Sequence, residues 1–314
     1  MGSFALYAFP ESHATSFALF AYASCWLKVH RPAEFYMGLI NNHPMGSSSV
    51  HSLRQDAMRR GLKIRPVSCV HSAPGATVTG DRELRLGLLQ VRGLRKETAD
   101  AIAQERTRRD FRSLADFLSR VQPNAKERRL LAKAGALNDF SEVGHRRDAM
   151  WQVELPLYGD LLPQDGTPST LEIMTPAERL SSDFTTMGAS TGPHPMKLWR
   201  ERHPEPRLPR ASELRLLPHG FPIQIAGMVI CRQRPGTAKG HCFISLEDET
   251  GIANLFVNVK IFRRYKLTIV SESFLLAEGR VQISEGDQPA VYVTGVRPLE
   301  GAFAEQAGSS HDFH

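Results

Sequence analysis

Three groups of residues in this 314-residue sequence have types and spacings that can act on a polyanion. The first is Val91-Arg92-Gly93-Leu94-Arg95-Lys96-Glu97-Thr98-Ala99-Asp100-Ala101-Ile102, a glycine turn followed by a helix with Ala99 and Ile102 inward. Such a turn presents backbone N–H groups at a helix N-terminus, where they can hold a phosphate oxygen, and Arg92, Arg95 and Lys96 add positive charge. This resembles half of a helix-hairpin-helix element. An ordinary capped helix with surface cations has the same spacing, and the residues alone leave both readings open. A second turn, Leu131-Ala132-Lys133-Ala134-Gly135-Ala136-Leu137, follows Glu127, Arg128 and Arg129 and adds Lys133 and Gly135 as candidates. Two such turns fit binding to a duplex backbone, which positions a protein without distinguishing bases.

The third group is Arg232-Gln233-Arg234-Pro235-Gly236-Thr237-Ala238-Lys239-Gly240. Arg232, Arg234 and Lys239 crowd a loop that a single strand would cross. Phe243 and Phe256 lie on the adjacent strands, where an aromatic ring either stacks a base or fills a barrel core. The glycines of this loop lack the spacing of a phosphate-binding loop and precede a strand, not a helix. Glu247-Asp248-Glu249, before Thr250-Gly251, reads as a polar hairpin turn in preference to a metal-ligand set. No Asp-x-Asp or HExxH occurs, and His241 and Cys242, consecutive on a strand, face opposite sides. No catalytic residue, metal site or cofactor is expected from these patterns.

The elements that must position these residues follow from periodicity. Ser12 can cap a helix with Ala14, Phe17, Ala18, Ala21 and Cys25 at three- and four-residue spacing, ending near His30. Helices are predicted from Pro32, over Ser49–Gly61, Lys96–Thr107 and Ser113–Arg120, with a strand at Leu62–Val67 and a loop at 73–82. Residues 152–218 shift to Pro, Ser, Thr and Gly and read as a linker with one or two short helices such as Pro176–Ser181. Five runs then follow, Gln224–Cys231, His241–Glu247, Ile252–Val257, Phe274–Gln282 and Ala290–Val296, with a helical stretch at Val259–Lys266 between the third and fourth. That is the order of an OB fold, a partly open barrel that binds oligonucleotides on its strand 2–3 face.

Charge agrees. Residues 1–80 carry seven basic and three acidic side chains and residues 81–150 sixteen and eleven, so the positive field of a chain with net charge +6 sits in its first half. A basic half favours a polyanionic partner, although a solvated basic surface has the same count. Cys25, Cys69, Cys231 and Cys242 are far apart with no CxxC pair, as reduced thiols in a cytoplasmic protein would be. Phe17–Leu27 is shorter than the ~20 residues a membrane span needs, and Met1–Pro10 lacks the charged start of a signal peptide.

Phe9-Pro10-Glu11-Ser12-His13-Ala14, Ser16-Phe17-Ala18, Tyr22-Ala23-Ser24, Trp26-Leu27-Lys28 and His30-Arg31-Pro32-Ala33-Glu34-Phe35 resemble the late fingers region of bacterial C-family DNA polymerases, the polymerase III type of α subunit. The Arg232–Gly240 string, Leu246-Glu247-Asp248-Glu249-Thr250-Gly251 and His194-Pro195-Met196 look like the error-prone second α subunit in particular. The resemblance runs over nearly the whole chain. It implies a C-terminal portion of α+β multidomain fold, with a late fingers region (1–80), a tandem helix-hairpin-helix domain (81–150), a linker (151–217), a five-stranded OB-fold β-barrel (218–300) and a flexible tail (301–314).

What such a polymerase needs for phosphoryl transfer is a set of carboxylates holding two metal ions. In this family they lie in the palm, and residues 1–80 contain only Glu11, Glu34 and Asp56. Mg2+ is therefore implied only for the complete polymerase. Met45-Gly46-Ser47-Ser48-Ser49 departs from the aromatic pair usual in the family, and a truncated or split gene would account for it. If a palm is supplied by a separately encoded chain, Ser12 and His13 approach the phosphates of the incoming nucleotide. The family also implies DNA, a sliding clamp and an accessory mutagenesis protein as partners. Two other readings stand beside this one: a stand-alone nucleic-acid-binding protein, and a non-functional gene remnant.

Overall fold

The computed structural model describes residues 11–44, 49–155, 171–283, 288–301 and 311–313. The chain opens with α1 (Glu11–His30), α2 (Pro32–Asn41) and α3 (Val50–Arg59). Ser12 is the second residue of α1 and not its cap. Pro32 starts α2, where its missing N–H leaves no helical bond unmade, and Ser49 Oγ accepts the Ser52 N–H at 3.1 Å to cap α3. The strand expected after α3 is β1 (Lys63–Arg65), and it belongs to a small sheet with β2 (Thr77–Gly80) and β3 (Glu83–Arg85). The stretch read as a loop at 73–82 thus contributes a strand. Tyr36 and Ile40 of α2, Ala57 of α3 and Leu84 close the core of this first unit.

Four helices follow: α4 (Lys96–Arg108), α5 (Leu114–Val121), α6 (Ala125–Ala134) and α7 (Arg146–Gln152). Ile102, Phe117, Leu131 and Leu137 form their common core. Residues 156–170 of the expected linker lie outside the described residues, but the remainder folds into α8 (Pro176–Met187) and α9 (Pro195–Arg202). Thr175 and Glu178 form a reciprocal capping box on α8. Leu180, Phe184, Met196 and Trp199 pack on Met228, Phe274 and Leu276, so these helices are wall and not tether. Their weak periodicity reflects short helices buried on more than one side.

The barrel comprises β4 (Pro222–Gln233), β5 (Cys242–Glu247), β6 (Ile252–Val257), β7 (Phe274–Gln282) and β8 (Ala290–Pro298), with α10 (Val259–Arg264) and α11 (Lys266–Ser271) between β6 and β7. Strand order is β5-β6-β8-β7-β4, and β4 pairs again with β5 to close it. Ile225, Ile244, Leu255, Val291 and Val293 point inward. Of the tail expected to be flexible, His311–Phe313 form β9, parallel to Cys231–Gln233, and 302–310 and 314 lie outside the described residues. No helix among the described residues is long and apolar enough to cross a membrane.

Candidate nucleic-acid interface

Strand pairing aligns one outward row across four barrel strands: Phe243 of β5, Phe256 of β6, Tyr292 of β8 and Arg280 of β7. Successive strand residues face opposite sides, so inward Cys242, Ile244, Leu255, Val257, Val291 and Val293 force these four outward. Phe243 is 41% and Tyr292 39% exposed. Their rings form a chain, with 5.5 Å between the centroids of Phe243 and Phe256 and 5.5 Å between Phe256 and Tyr292. His241 adds a ring 5.0 Å from Phe256, and Asn258 Nδ2 donates to the Tyr292 hydroxyl at 3.0 Å. The core alternative for Phe243 and Phe256 is thereby set aside. Tyr292, Arg280 and His241 were missed, although Ala290-Val291-Tyr292-Val293 alternates plainly enough to place Tyr292 outside. Gly279 lets β7 approach β8 closely behind this row: a Cβ there would fall 2.2 Å from the Tyr292 carbonyl oxygen.

The loop between β4 and β5 keeps two of its three expected cations at the surface. Lys239 is exposed, in the left-handed region at φ 49°, and the Arg234 guanidinium lies 4.6 Å from the centroid of Phe262. Arg232 departs from expectation. It belongs to β4, its side chain is buried, and its guanidinium donates to the carbonyls of Ile269, at 2.5 Å, and Glu272. Those carbonyls end α11, so Arg232 is a cap for a helix C-terminus and not a free strand-binding cation. Val259 of α10 lies beside Gly240 of the loop, and Lys260, Arg263, Arg264 and Lys266 of α10 and α11 are further exposed cations.

In the first hairpin, Gly93 has φ +85° and is exposed together with Arg92, Arg95 and Lys96. Arg92 lies against Gly188 at the C-terminus of α8, and its N–H donates to the Thr186 carbonyl at 2.8 Å. Arg95 is tied to Glu127, whose buried carboxylate accepts from Arg95 Nε at 3.0 Å, from the Arg95 N–H at 3.2 Å and from the Thr98 hydroxyl at 2.8 Å. An internal carboxylate thus already sits at the N-terminus of α4. Lys126, exposed beside Gly93, is a cation the sequence reading overlooked. The second turn is closed: Gly135, at φ +79°, has the Arg146 guanidinium packed on it, and a Cβ there would fall 2.5 Å from Arg146 Nε. The Lys133 carbonyl accepts from Ser182 Oγ at 2.8 Å. Only the first of the two turns is open.

Burial pushes the Glu127 carboxyl up, but Arg95, Thr98 and the backbone N–H groups of Asn124 and Arg95 outweigh it and hold it down at about 2, against an ordinary 4.5. A depressed carboxyl contributes stability that is present above pH 4.5 and lost as pH falls toward 2. Glu127→Gln should cost about 2 kcal/mol at pH 7 after allowance for the solvent-screened Arg95 side, with the difference closing in acid. Urea unfolding of both proteins at pH 7 and pH 3 measures this, and an unchanged difference in acid would contradict it.

Other arrangements offer less. Asp248 Oδ1 accepts from the Thr250 N–H at 2.8 Å and the Gly251 N–H at 3.1 Å, the polar hairpin turn expected. Gly188-Ala189-Ser190-Thr191-Gly192 has the spacing of a hydrolase nucleophile turn, which the sequence reading passed over. It follows a helix, not a strand, and the buried Ser190 hydroxyl donates to Asp183. Ser12 and His13 occupy the first turn of α1.

Comparison with known proteins accords with this architecture. The family model of a helix-hairpin-helix motif matches residues 61–149, and that of an OB-fold nucleic acid binding domain matches 223–299. A protein of Pseudomonas savastanoi pv. phaseolicola named error-prone DNA polymerase is 40% identical over 296 residues, 90% of this chain and 28% of the relative. The chain is homologous to the error-prone DNA polymerases. Relatives of the same name from Anaeromyxobacter sp. (strain K), 41% identical, and Pseudomonas aeruginosa, 39% identical, each cover 99% of the chain. The chain spans 28% and 31% of those two error-prone DNA polymerases, respectively.

Proposed function

We propose that this chain is the DNA-binding C-terminal part of an error-prone, translesion DNA polymerase α subunit. The observation that carries the reading is the Phe243–Phe256–Tyr292–Arg280 row, with exposed Arg234 and Lys239 in the loop that precedes β5 and exposed cations on α10. Three rings in line offer stacking platforms to successive bases, and the flanking guanidinium and ammonium groups track the backbone. The barrel therefore takes single-stranded template. Duplex is held at the first hairpin, where Gly93 and Lys96 meet phosphate with Lys126 alongside; Arg95 turns its exposed side to the DNA while Glu127 holds the other. Lys133 and Gly135 support the domain from behind.

Phosphoryl transfer in this reading belongs to a palm outside the chain, with Mg2+ as its metal and with Ser12 and His13 near the incoming nucleotide. The apolar face of α1, exposing Phe17, Phe20 and Trp26, gives such a palm-bearing chain a surface to cover. The sliding clamp and an accessory mutagenesis protein are the further partners, and the setting is the cytoplasm. Primer extension tests the division of labour: the purified chain with Mg2+, nucleotides and primer–template should yield no product above a buffer control. Incorporation that survives repeated purification would place catalytic groups in the chain itself.

A further inference from the structure

His51, His194 and Glu247 come from three separate parts of the chain, α3, the N-terminus of α9 and the end of β5, and all three are buried. One ligand atom from each lies within 4.8 Å of the others. His51 is 2% exposed, yet neither of its ring nitrogens has a hydrogen-bond partner among the described residues, and Nε2 of His194 has none either. Buried polar atoms are nearly always satisfied, and groups that are not call for an explanation, of which a bound ion is one. His51 is held in place by ring contacts, 4.9 Å from Phe184 and 5.5 Å from His194 between centroids, so no bond to its nitrogens is needed to orient it.

We propose that His51, His194 and Glu247 form a binding site for a first-row divalent cation, with zinc the best fit, that fastens α3 and α9 to the OB barrel. Two imidazoles and one carboxylate are a donor set that zinc accepts at about 2.0–2.2 Å. Spacings of 143 residues from His51 to His194 and 53 from His194 to Glu247 hide the set from any search for local ligand motifs, so the expectation of no metal site could not have seen it.

Two rearrangements accompany binding. Glu247 Oε1 now accepts from Arg59 Nη2 at 2.9 Å and Oε2 from Ser52 Oγ at 3.3 Å. The cation replaces the guanidinium as the counter-charge of this buried carboxylate, and Arg59, partly exposed already, turns toward solvent. His194 Nδ1 accepts the Met196 N–H at 3.1 Å, which places the proton of the neutral ring on Nε2. Coordination through Nε2 moves that proton to Nδ1, and the helix cap at Met196 is given up for the coordinate bond.

The test loads the purified full chain with Zn2+, dialyses it and counts bound zinc. One equivalent is expected, with two imidazoles and carboxylate oxygen in the zinc X-ray absorption spectrum and a changed Met196 amide resonance. His51→Phe, which keeps the contact with Phe184, should lower zinc affinity at least tenfold. Arg59→Ala, which removes the competing cation, should raise it, an outcome that a merely structural role for the cluster would not give. Less than a tenth of an equivalent in folded wild-type protein overturns the proposal, as does a spectrum with fewer than two imidazoles. Unchanged zinc binding in folded His51→Phe does so equally. Should that variant fail to fold, the wild-type spectrum decides.

Discussion

Replacing Phe256 and Tyr292 together by Ala should lower affinity for single-stranded DNA by two to three orders of magnitude and leave duplex affinity within about twofold. Stacking of a base on an aromatic side chain contributes roughly 1–3 kcal/mol by alanine substitution, so each ring alone accounts for about a thirtyfold loss. The rings touch, with 5.5 Å between centroids, so the double variant should fall short of the product of the single losses. Both side chains point out of the barrel, and thermal unfolding should move little. A double variant that binds single strands as the parent does, while folded, would remove the row from the interface.

The second large effect concerns stability. Arg146 and Asp183 form a buried ion pair at 2.7 Å between α7 and α8, and the same guanidinium lies over the Gly135 turn. Arg146→Ala takes from a buried carboxylate its ion-pair partner and leaves it the Ser190 hydroxyl and the more distant charge of buried Arg54, so the loss should lie near the low end of the roughly 3–5 kcal/mol usual for breaking such a pair. Arg146→Met keeps side-chain volume over Gly135 but removes the charge, and should cost nearly as much as Arg146→Ala because the carboxylate still loses its partner. Chemical denaturation of the three proteins measures the difference. An Arg146→Met variant as stable as the parent would mean that Arg146 acts through packing on Gly135 and not through charge.

The parts legible in the sequence are those whose signal is local. The five barrel strands alternate with period two, the first helices carry a three-to-four repeat, and the loop from Arg234 to Gly240 announces itself by charge. Partners chosen by tertiary structure were beyond reach. Arg232 looks like its neighbour Arg234, and only the approach of the end of α11 turns it inward. Gly135 repeats the pattern of Gly93, yet Arg146, eleven residues on, closes one turn and leaves the other open. Glu247, read as part of a polar turn, faces away from that turn toward two histidines from distant segments. Arg280 and Tyr292 became visible as site residues only once the register put them in line with Phe256.

These corrections alter which substitutions are informative. Arg232→Ala would weaken DNA binding by loosening the end of α11, and so cannot report on a phosphate contact. Arg234→Ala and Lys239→Ala can, because neither side chain is buried. At the first hairpin Lys96 and Lys126 are the better probes, since Arg95 already serves Glu127.

The most direct measurement is a fluorescence-anisotropy titration of labelled single-stranded and primer–template DNA with the purified chain at two salt concentrations. Each neutralised phosphate contributes a slope of about 0.7 in log K against log salt for a single strand and about 0.9 for duplex. The account predicts salt-dependent binding of both DNAs. The single-strand slope should fall in Arg234→Ala with Lys239→Ala, and the duplex slope in Lys96→Ala with Lys126→Ala. A folded protein that binds neither DNA, or whose binding ignores salt and these four cations, would contradict it.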